Sequence, residues 1–514
     1  MEKLNTYTPK ERNAYLIGLA GQNIIYNIIG AGLAYYLQFT ILIPAATVSI
    51  IMAIARVWDA FNDPMMGTIV DKTRTKIGKC RPYLIAVPIP ILIITVLCYT
   101  NFGFFDPSLG GNFVGKNAAI VIWAAVTYVL WGMTYTVGDI PLWGITALMS
   151  ESAEDRQKLL SLARMIAGIG GGITLVSFQP VALELGKHFA RFYEDTEKVT
   201  AAAAGERMGF IVAALIFGVI GSAMFQLTGL FTKERIPASE KSYSLKENFS
   251  LMWTNKPFRQ ILLSGVMGSP KQLLMLAAMP LVTYYYASKN PTTALLYMVF
   301  LGGGMLIGQF AAMGLAPKLV SRFEKKDLYN YSNLFGVIPF VLIFVLYLIA
   351  PRDLVKPVYL VICFVLFTFG GATAGINTVL QSYMIADAVD YEEYHNGIRP
   401  DGVFFSGQTF IVKLTTAIAT VISGMAYTAV GFSDAAIDEL NKFIAAGGVP
   451  RLEDKYSQFM MILFFLVSIP PAIGGILSVI PTWNYALSDK EHKRMLNELN
   501  EKRHLAAGKE DNVE

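Results

Sequence analysis

Twelve times along this chain a run of roughly 20 mostly apolar residues recurs between polar or Pro/Gly-rich breaks, each long enough to cross a bilayer as a helix. Inside lipid every backbone N–H and C=O must be satisfied within its own segment, so such a chain folds as packed helices. The spans are placed near residues 14–36, 43–70, 83–105, 117–148, 161–185 and 208–232, and then near 258–286, 293–315, 328–350, 356–384, 402–431 and 456–482. With 54% hydrophobic and 16% charged residues in 514, no stretch resembles an aqueous domain. The expected fold class is an all-α membrane protein with twelve transmembrane helices, and the lipid bilayer is its first partner.

The opening residues MEKLNTYTPKER are polar, and the apolar run after them continues for about a full span without a small-residue cleavage pattern, so the first span is expected to be retained. Cys80, Cys98 and Cys363 lie in a basic loop and two apolar runs with no paired spacing, which indicates neither a disulfide framework nor a zinc site. The four histidines are assigned to loops or the tail, leaving no imidazole at membrane depth and arguing against a metalloenzyme. No cofactor and no nucleic-acid partner is expected.

Between the sixth and seventh runs, KERIPASEKSYSLKENFSLMWTNKPFR is the most polar internal segment, and it divides the chain into six plus six. The expected domains are a six-helix bundle over 1–232, a middle loop over 233–257, a second bundle over 258–482 and a tail over 483–514. Within the loop Leu245, Phe249, Met252 and Trp253 recur at helical spacing, which suggests a short amphipathic helix at the membrane surface. Basic residues gather in DKTRTKIGKCRP, PKLVSRFEKKD, the middle segment and the tail, which places these and both termini in the cytoplasm of an inner (plasma) membrane protein. Gly67 and Gly314 each precede a basic loop at the corresponding place in the two halves. This weak repeat fits two parallel bundles related by an axis along the membrane normal, the arrangement of major-facilitator transporters.

Charges inside the spans are the most informative residues, because each costs several kcal/mol at membrane depth. In ARVWDAFNDPMMG, Arg56, Asp59 and Asp63 fall at i, i+3 and i+7 of one helix, with Asn62 beside Asp63. Two carboxylates and an amide oxygen suit a small hard cation, and the arginine limits excess negative charge when no cation is bound. A structural ion pair is the competing reading. On the fourth span Tyr135, Thr136, Asp139 and Trp143 lie within two turns: a carboxylate accepts sugar hydroxyls, and an indole covers the apolar face of a pyranose. For Trp131 and Tyr135 an aromatic stripe packed against a neighbouring helix is an equal alternative.

RVWDAFNDPMMGTIVDKTRTKIGKCRPY, YVLWGMTYTVGDIPLWG and ADAVDYEEYHNGIRPDG resemble the glycoside-pentoside-hexuronide:cation symporter family, with matches in both halves. The resemblance implies the major-facilitator fold and a coupling cation, Na+ with H+ or Li+ as alternatives, held by Asp59, Asn62, Asp63 and Thr136, with Asp59 and Asp63 as its carboxylate ligands. It also implies a sugar or glycoside at Asp139, with Arg164 nearby. In QTFIVKLTTA of the eleventh span, Gln408, Thr409 and Lys413 form a polar face, and Lys413 resembles the family lysine near both sites. Arg56 and Lys413 would then balance the cavity's charge.

One departure matters: Asn23 of LAGQNIIYN stands where the family's best-known member carries a sugar-contacting aspartate. With Lys271 of GSPKQLL added, the balance leans positive, and an anionic sugar such as a hexuronide or sulfosugar becomes the expected variant. Lys271 itself has no family role, and structural pairing competes with substrate contact.

The string AGIGGG at 167–172 follows an apolar helix and reads as close helix packing rather than a nucleotide loop. DAVDYEEYHNGIRPD reads as a cytoplasmic gate, in which its acids and Arg399 pair with the basic loops DKTRTKIGKCRP or PKLVSRFEKK when the inner side is closed. The sequence is read as that of a sodium-coupled sugar symporter. Its rivals are a proton-coupled symporter, a membrane-embedded enzyme on a lipid-linked substrate, for which no phosphate-cradling or histidine motif speaks, and a sugar sensor that binds without transporting.

Overall fold

Regular structure is entirely helical among the described residues of the computed structural model, which are 5–109, 111–194, 201–236, 244–286, 293, 296–429, 439–440, 442–444 and 446–510. Eight helices there are long and apolar enough to cross a membrane, and a bent pair at 256–286 makes a ninth. α2 (Ala45–Lys72) is one continuous helix that carries its charged face in its second half, and the third span is split into α3 (Arg81–Ala86) and α4 (Pro88–Cys98) where Pro88 begins a new helix.

The chain separates into two compact units. The first comprises residues 1–250 together with 392–407. Its opening helix α1 (Pro9–Tyr35) begins at a capping box, in which Thr8 accepts from Glu11 N–H while the Glu11 carboxylate accepts from Thr8 N–H. α1 packs on α6 (Ala153–Phe189) and α7 (Ala201–Phe231), and α2 packs on α5 (Lys116–Gly144). Glycine allows the first of these contacts: a Cβ on Gly170 of α6 would lie 2.8 Å from the Ala20 carbonyl oxygen, too close for any side chain. The string AGIGGG thus lies within a helix at a helix–helix contact.

The second unit holds residues 251–391 and 408–514. After α8 (Leu245–Thr254), it runs through α9 (Lys256–Met267), α10 (Leu273–Leu281), α11 (Gly303–Val320), α12 (Lys325–Phe335), α13 (Val337–Ile349) and α14 (Pro357–Asn396). It ends with most of α15 (Asp401–Ala429), then α16 (Ser457–Val479) and the tail helix α17 (Asp489–Glu510). α16 packs on α10 and α13, and a core of Tyr285, Tyr347, Phe459, Leu463 and Phe464 lies around it. On α8, Met252 is buried and Trp253 exposed, while the side chains of Leu245 and Phe249 lie outside the described ones.

Two expectations need correction. Residues 392–407, assigned by sequence to the second bundle, pack in the first unit, because the start of α15 is bonded to Asp71 in the last turn of α2. His188 and His395 lie on helices rather than in loops, and His492, in the tail as expected, is buried, with its Nε2 3.0 Å from Asp390 and its Nδ1 3.5 Å from Asp387. The tail helix docks on the end of α14 through these contacts, which composition alone does not show.

Candidate cation and sugar sites in the first unit

α2 runs unbroken through its charged stretch, so Asp59 and Asp63 stand one turn apart on the face packed against α5. Opposite them, also one turn apart, are Gly132 and Thr136. Thr136 Oγ1 donates to Asp63 Oδ1 at 2.9 Å, and a Cβ built on Gly132 would lie 3.0 Å from Asp59 Oδ1. Gly132 thus leaves the room that the Asp59 carboxylate occupies. Asp63 is fully buried and Asp59 is 7% exposed, whereas the Arg56 guanidinium touches Asp59 only at 4.0 Å and is 44% exposed. Tyr26 and Tyr128 stand beside Arg56. The Asn62 Nδ2 is buried with no hydrogen-bond partner. Two carboxylates, a hydroxyl and an amide are the hard oxygen donors that a small cation takes.

A second polar cluster lies beside this one. Gln22 of α1 donates from Nε2 to Asp139 Oδ1 at 2.8 Å and also to the Tyr135 hydroxyl, while Asn23 Nδ2 donates to Gln22 Oε1 at 2.9 Å. Arg164 of α6 lies over the Trp143 ring, 3.9 Å from its centroid, as a stacked cation. The Tyr15 hydroxyl, fully buried and adjacent to Arg164 and Asp139, has no hydrogen-bond partner. Such an orphan costs about 1–3 kcal/mol unless a ligand satisfies it. Trp131 stacks on Tyr135 with centroids 5.0 Å apart and donates to Thr95 Oγ1 at 3.0 Å, so its role is packing.

Of the predicted site residues, Asn23, Arg56, Asp59, Asn62, Asp63, Tyr135, Thr136, Asp139, Trp143 and Arg164 all belong to the first unit. Gln408, Thr409 and Lys413 belong to the second, where Gln408 Nε2 donates to Ser382 Oγ at 3.0 Å and Thr409 and Lys413 are half-buried on α15. Sequence reasoning passed over Tyr15, Gln22 and Gly132. The signal for the first two was present, since Tyr15, Gln22 and Tyr26 follow a seven-and-four spacing that puts them on one face of α1.

The predicted gate residues also meet. Lys79 Nζ sits 2.9 Å from Asp71 and 2.8 Å from Asp401, and donates to the Arg399 carbonyl at 3.2 Å. Asp71 in turn accepts from the N–H groups of Gly402 and Val403, both at 3.0 Å. Arg399 pairs with Asp401 at 3.1 Å and Glu393 at 2.5 Å. Burial alone would lower the Lys79 ammonium's pKa, but Asp401 and Asp71 reverse this and hold it above the ordinary lysine value. Gly67 lets the helices approach: its Cβ would lie 2.7 Å from the Gly402 carbonyl oxygen. In the second unit Lys325 of the other basic loop pairs with Asp387 and, at 3.4 Å, with Asp489.

Residues 14–489 match the family described as MFS/sugar transport protein, so the chain belongs to that family of membrane transporters. It is 26% identical over 501 residues to the inner membrane symporter YicJ of Escherichia coli (strain K12), covering 97% of this chain and 96% of that one. It is 23% identical over 489 residues to the glucuronide carrier protein homolog of the same organism, covering 95% of each. The crystal structure of the major facilitator superfamily transporter FucP in the outward conformation matches 93% of this chain and 98% of its own, with a TM-score of 0.57 at 12% identity, which shows the major-facilitator fold.

Proposed function

We propose that this member of the MFS/sugar transport protein family is a sodium-coupled symporter of a sugar or glycoside, working by alternating access in an inner membrane with both termini cytoplasmic. The observation that carries the reading is that α5 serves both sites. Thr136 bonds the buried carboxylate of the cation cluster, and Asp139, at i+3 on the same helix, is the acceptor at the centre of the sugar cluster. A cation that draws Asp63 and Thr136 together fixes the α5 turn that presents Asp139, so each ligand tightens the other reciprocally. Sodium is favoured over a proton because a proton needs one carboxylate, whereas this cluster gathers several oxygen donors.

Sugar hydroxyls would be read by Asp139, Gln22, Asn23 and Tyr15, with Trp143 beneath the ring and Arg164 stacked on it. Asn23 keeps the hydrogen-bonding role without a carboxylate's charge, and this supports an anionic substrate, in keeping with the name of the glucuronide carrier relative. The Lys79 cluster serves as the cytoplasmic clamp, with contacts that break and reform between states.

The test is uptake by purified protein in sealed vesicles. An inward sodium gradient should accumulate unmodified sugar, and Asp63→Cys should abolish that accumulation while leaving sugar binding measurable. Accumulation driven equally by a proton gradient without sodium would overturn sodium coupling, binding without accumulation would indicate a sensor, and a chemically altered sugar would indicate an enzyme.

A further inference from the structure

The seventh span is broken within its length. α9 ends at Met267, a tight 3-10 turn over Ser269–Gln272 follows Gly268, and α10 leaves at 46° to α9. Discontinuous helices in transporters are where substrates and ions are held. Lys271 stands at this break, half-buried, and its ammonium donates to Asn333 Oδ1 of α12 at 2.5 Å and to Ser478 Oγ of α16 at 2.8 Å. Among the described residues it has no carboxylate partner, in contrast to Lys79 and Lys325.

The direction of the hydrogen bonds follows from the ammonium, which can only donate. Asn333 therefore turns its oxygen to Lys271 and its NH2 outward, donating to the Tyr329 carbonyl at 2.9 Å and to Asn377 Oδ1 of α14 at 3.0 Å. Asn377 Oδ1 also accepts from Ser332 at 2.8 Å. The chain of bonds thus ends with donors at both extremities, the third N–H of Lys271 and the NH2 of Asn377, and neither has an acceptor among the described residues. A half-buried network that presents an ammonium N–H and an amide NH2 with no acceptor among the described residues suits an acceptor of negative charge.

We propose that Lys271 and Asn377 form an anion subsite in the second unit that binds the carboxylate or sulfonate of a charged sugar and so sets the preference for anionic substrates. Lys271 supplies the charge, Asn377 a hydrogen bond to a second oxygen of the same group, and Asn333 holds the two in register. This rests on the sugar-symporter reading.

Competition binding to the full-length protein at fixed sodium tests it, using methyl glucuronide and methyl galacturonide against methyl glucoside and methyl galactoside. Wild type should prefer a uronide to its neutral partner. Lys271→Gln should weaken the uronide by about 10- to 100-fold, Asn377→Ala by a few-fold, and both should leave the neutral glycoside's affinity within about twofold, a control for folding. Equal weakening of both members of a pair by Lys271→Gln, an unchanged uronide preference in that variant, or a wild type preferring the neutral sugar would each overturn the subsite while leaving the symporter reading in place. A wild type that binds no member of the panel, with or without sodium, would overturn both.

Discussion

Replacing Lys79 with methionine keeps the length of the side chain and removes only its ammonium, which isolates what the clamp contributes. The residue is 2% exposed and its two carboxylate partners, at 2.9 and 2.8 Å, are as deeply buried. Taking one member from a buried ion pair costs about 3–5 kcal/mol, because the remaining charge is left without compensation. The structure points to the lower end of that range. Asp71 keeps the N–H groups of Gly402 and Val403, and Asp401 keeps the Arg399 guanidinium, so each acid retains a partner. A loss of about 3 kcal/mol is therefore expected, read as earlier unfolding of the detergent-purified chain on heating or in denaturant. Adding Asp401→Asn to Lys79→Met should recover part of the loss, since the double variant no longer holds a charge in excess; the cycle formed with the two single variants should show coupling of more than about 1 kcal/mol. Unchanged unfolding of Lys79→Met together with zero coupling to Asp71 and Asp401 would refute the clamp as a buried charge network.

Two further outcomes are expected at the sites themselves. Gly132→Val should remove sodium-induced thermal stabilisation and spare sugar binding, because any Cβ there comes within 3.0 Å of Asp59 Oδ1 and a branched one must displace the carboxylate; retained stabilisation by sodium would remove Asp59 from the cation site. Asp139→Ala should eliminate sugar binding while leaving sodium-induced stabilisation intact, and loss of both together would mean that Asp139 holds α1 to α5 through Gln22 instead.

The spans were legible because the bilayer imposes a length: α1, α2, α5 and α16 begin and end within a few residues of the apolar runs at 14–36, 43–70, 117–148 and 456–482. Where polar residues continue a helix beyond the lipid, hydropathy has nothing to say. α6 starts at Ala153, eight residues before its run, because Ser152 caps it by accepting from the Asp155 N–H, and α14 continues to Asn396 through the acidic stretch that follows its apolar run. The face shared by Arg56, Asp59 and Asp63 was legible for a similar reason, since spacing on one helix fixes it. Gln22 was not legible as Asp139's partner, because 117 residues separate them and only the packing of α1 brings them together.

The acidic stretch before α15 shows how far such reasoning reaches. Its composition predicted pairing with a basic loop, and Lys79 and Lys325 lie in the two loops named, yet composition could not say which acid each would take. Asp401 is taken by Lys79 because it opens α15, where the bare N–H groups of Gly402 and Val403 already hold Asp71, so one lysine between two carboxylates completes the contact. Asp387, on α14, is left to Lys325 and the tail helix. The segment at 392–407 follows the second half in sequence and the first unit in its bonds, which is the property the proposed clamp needs: contacts made by residues whose chain continues elsewhere.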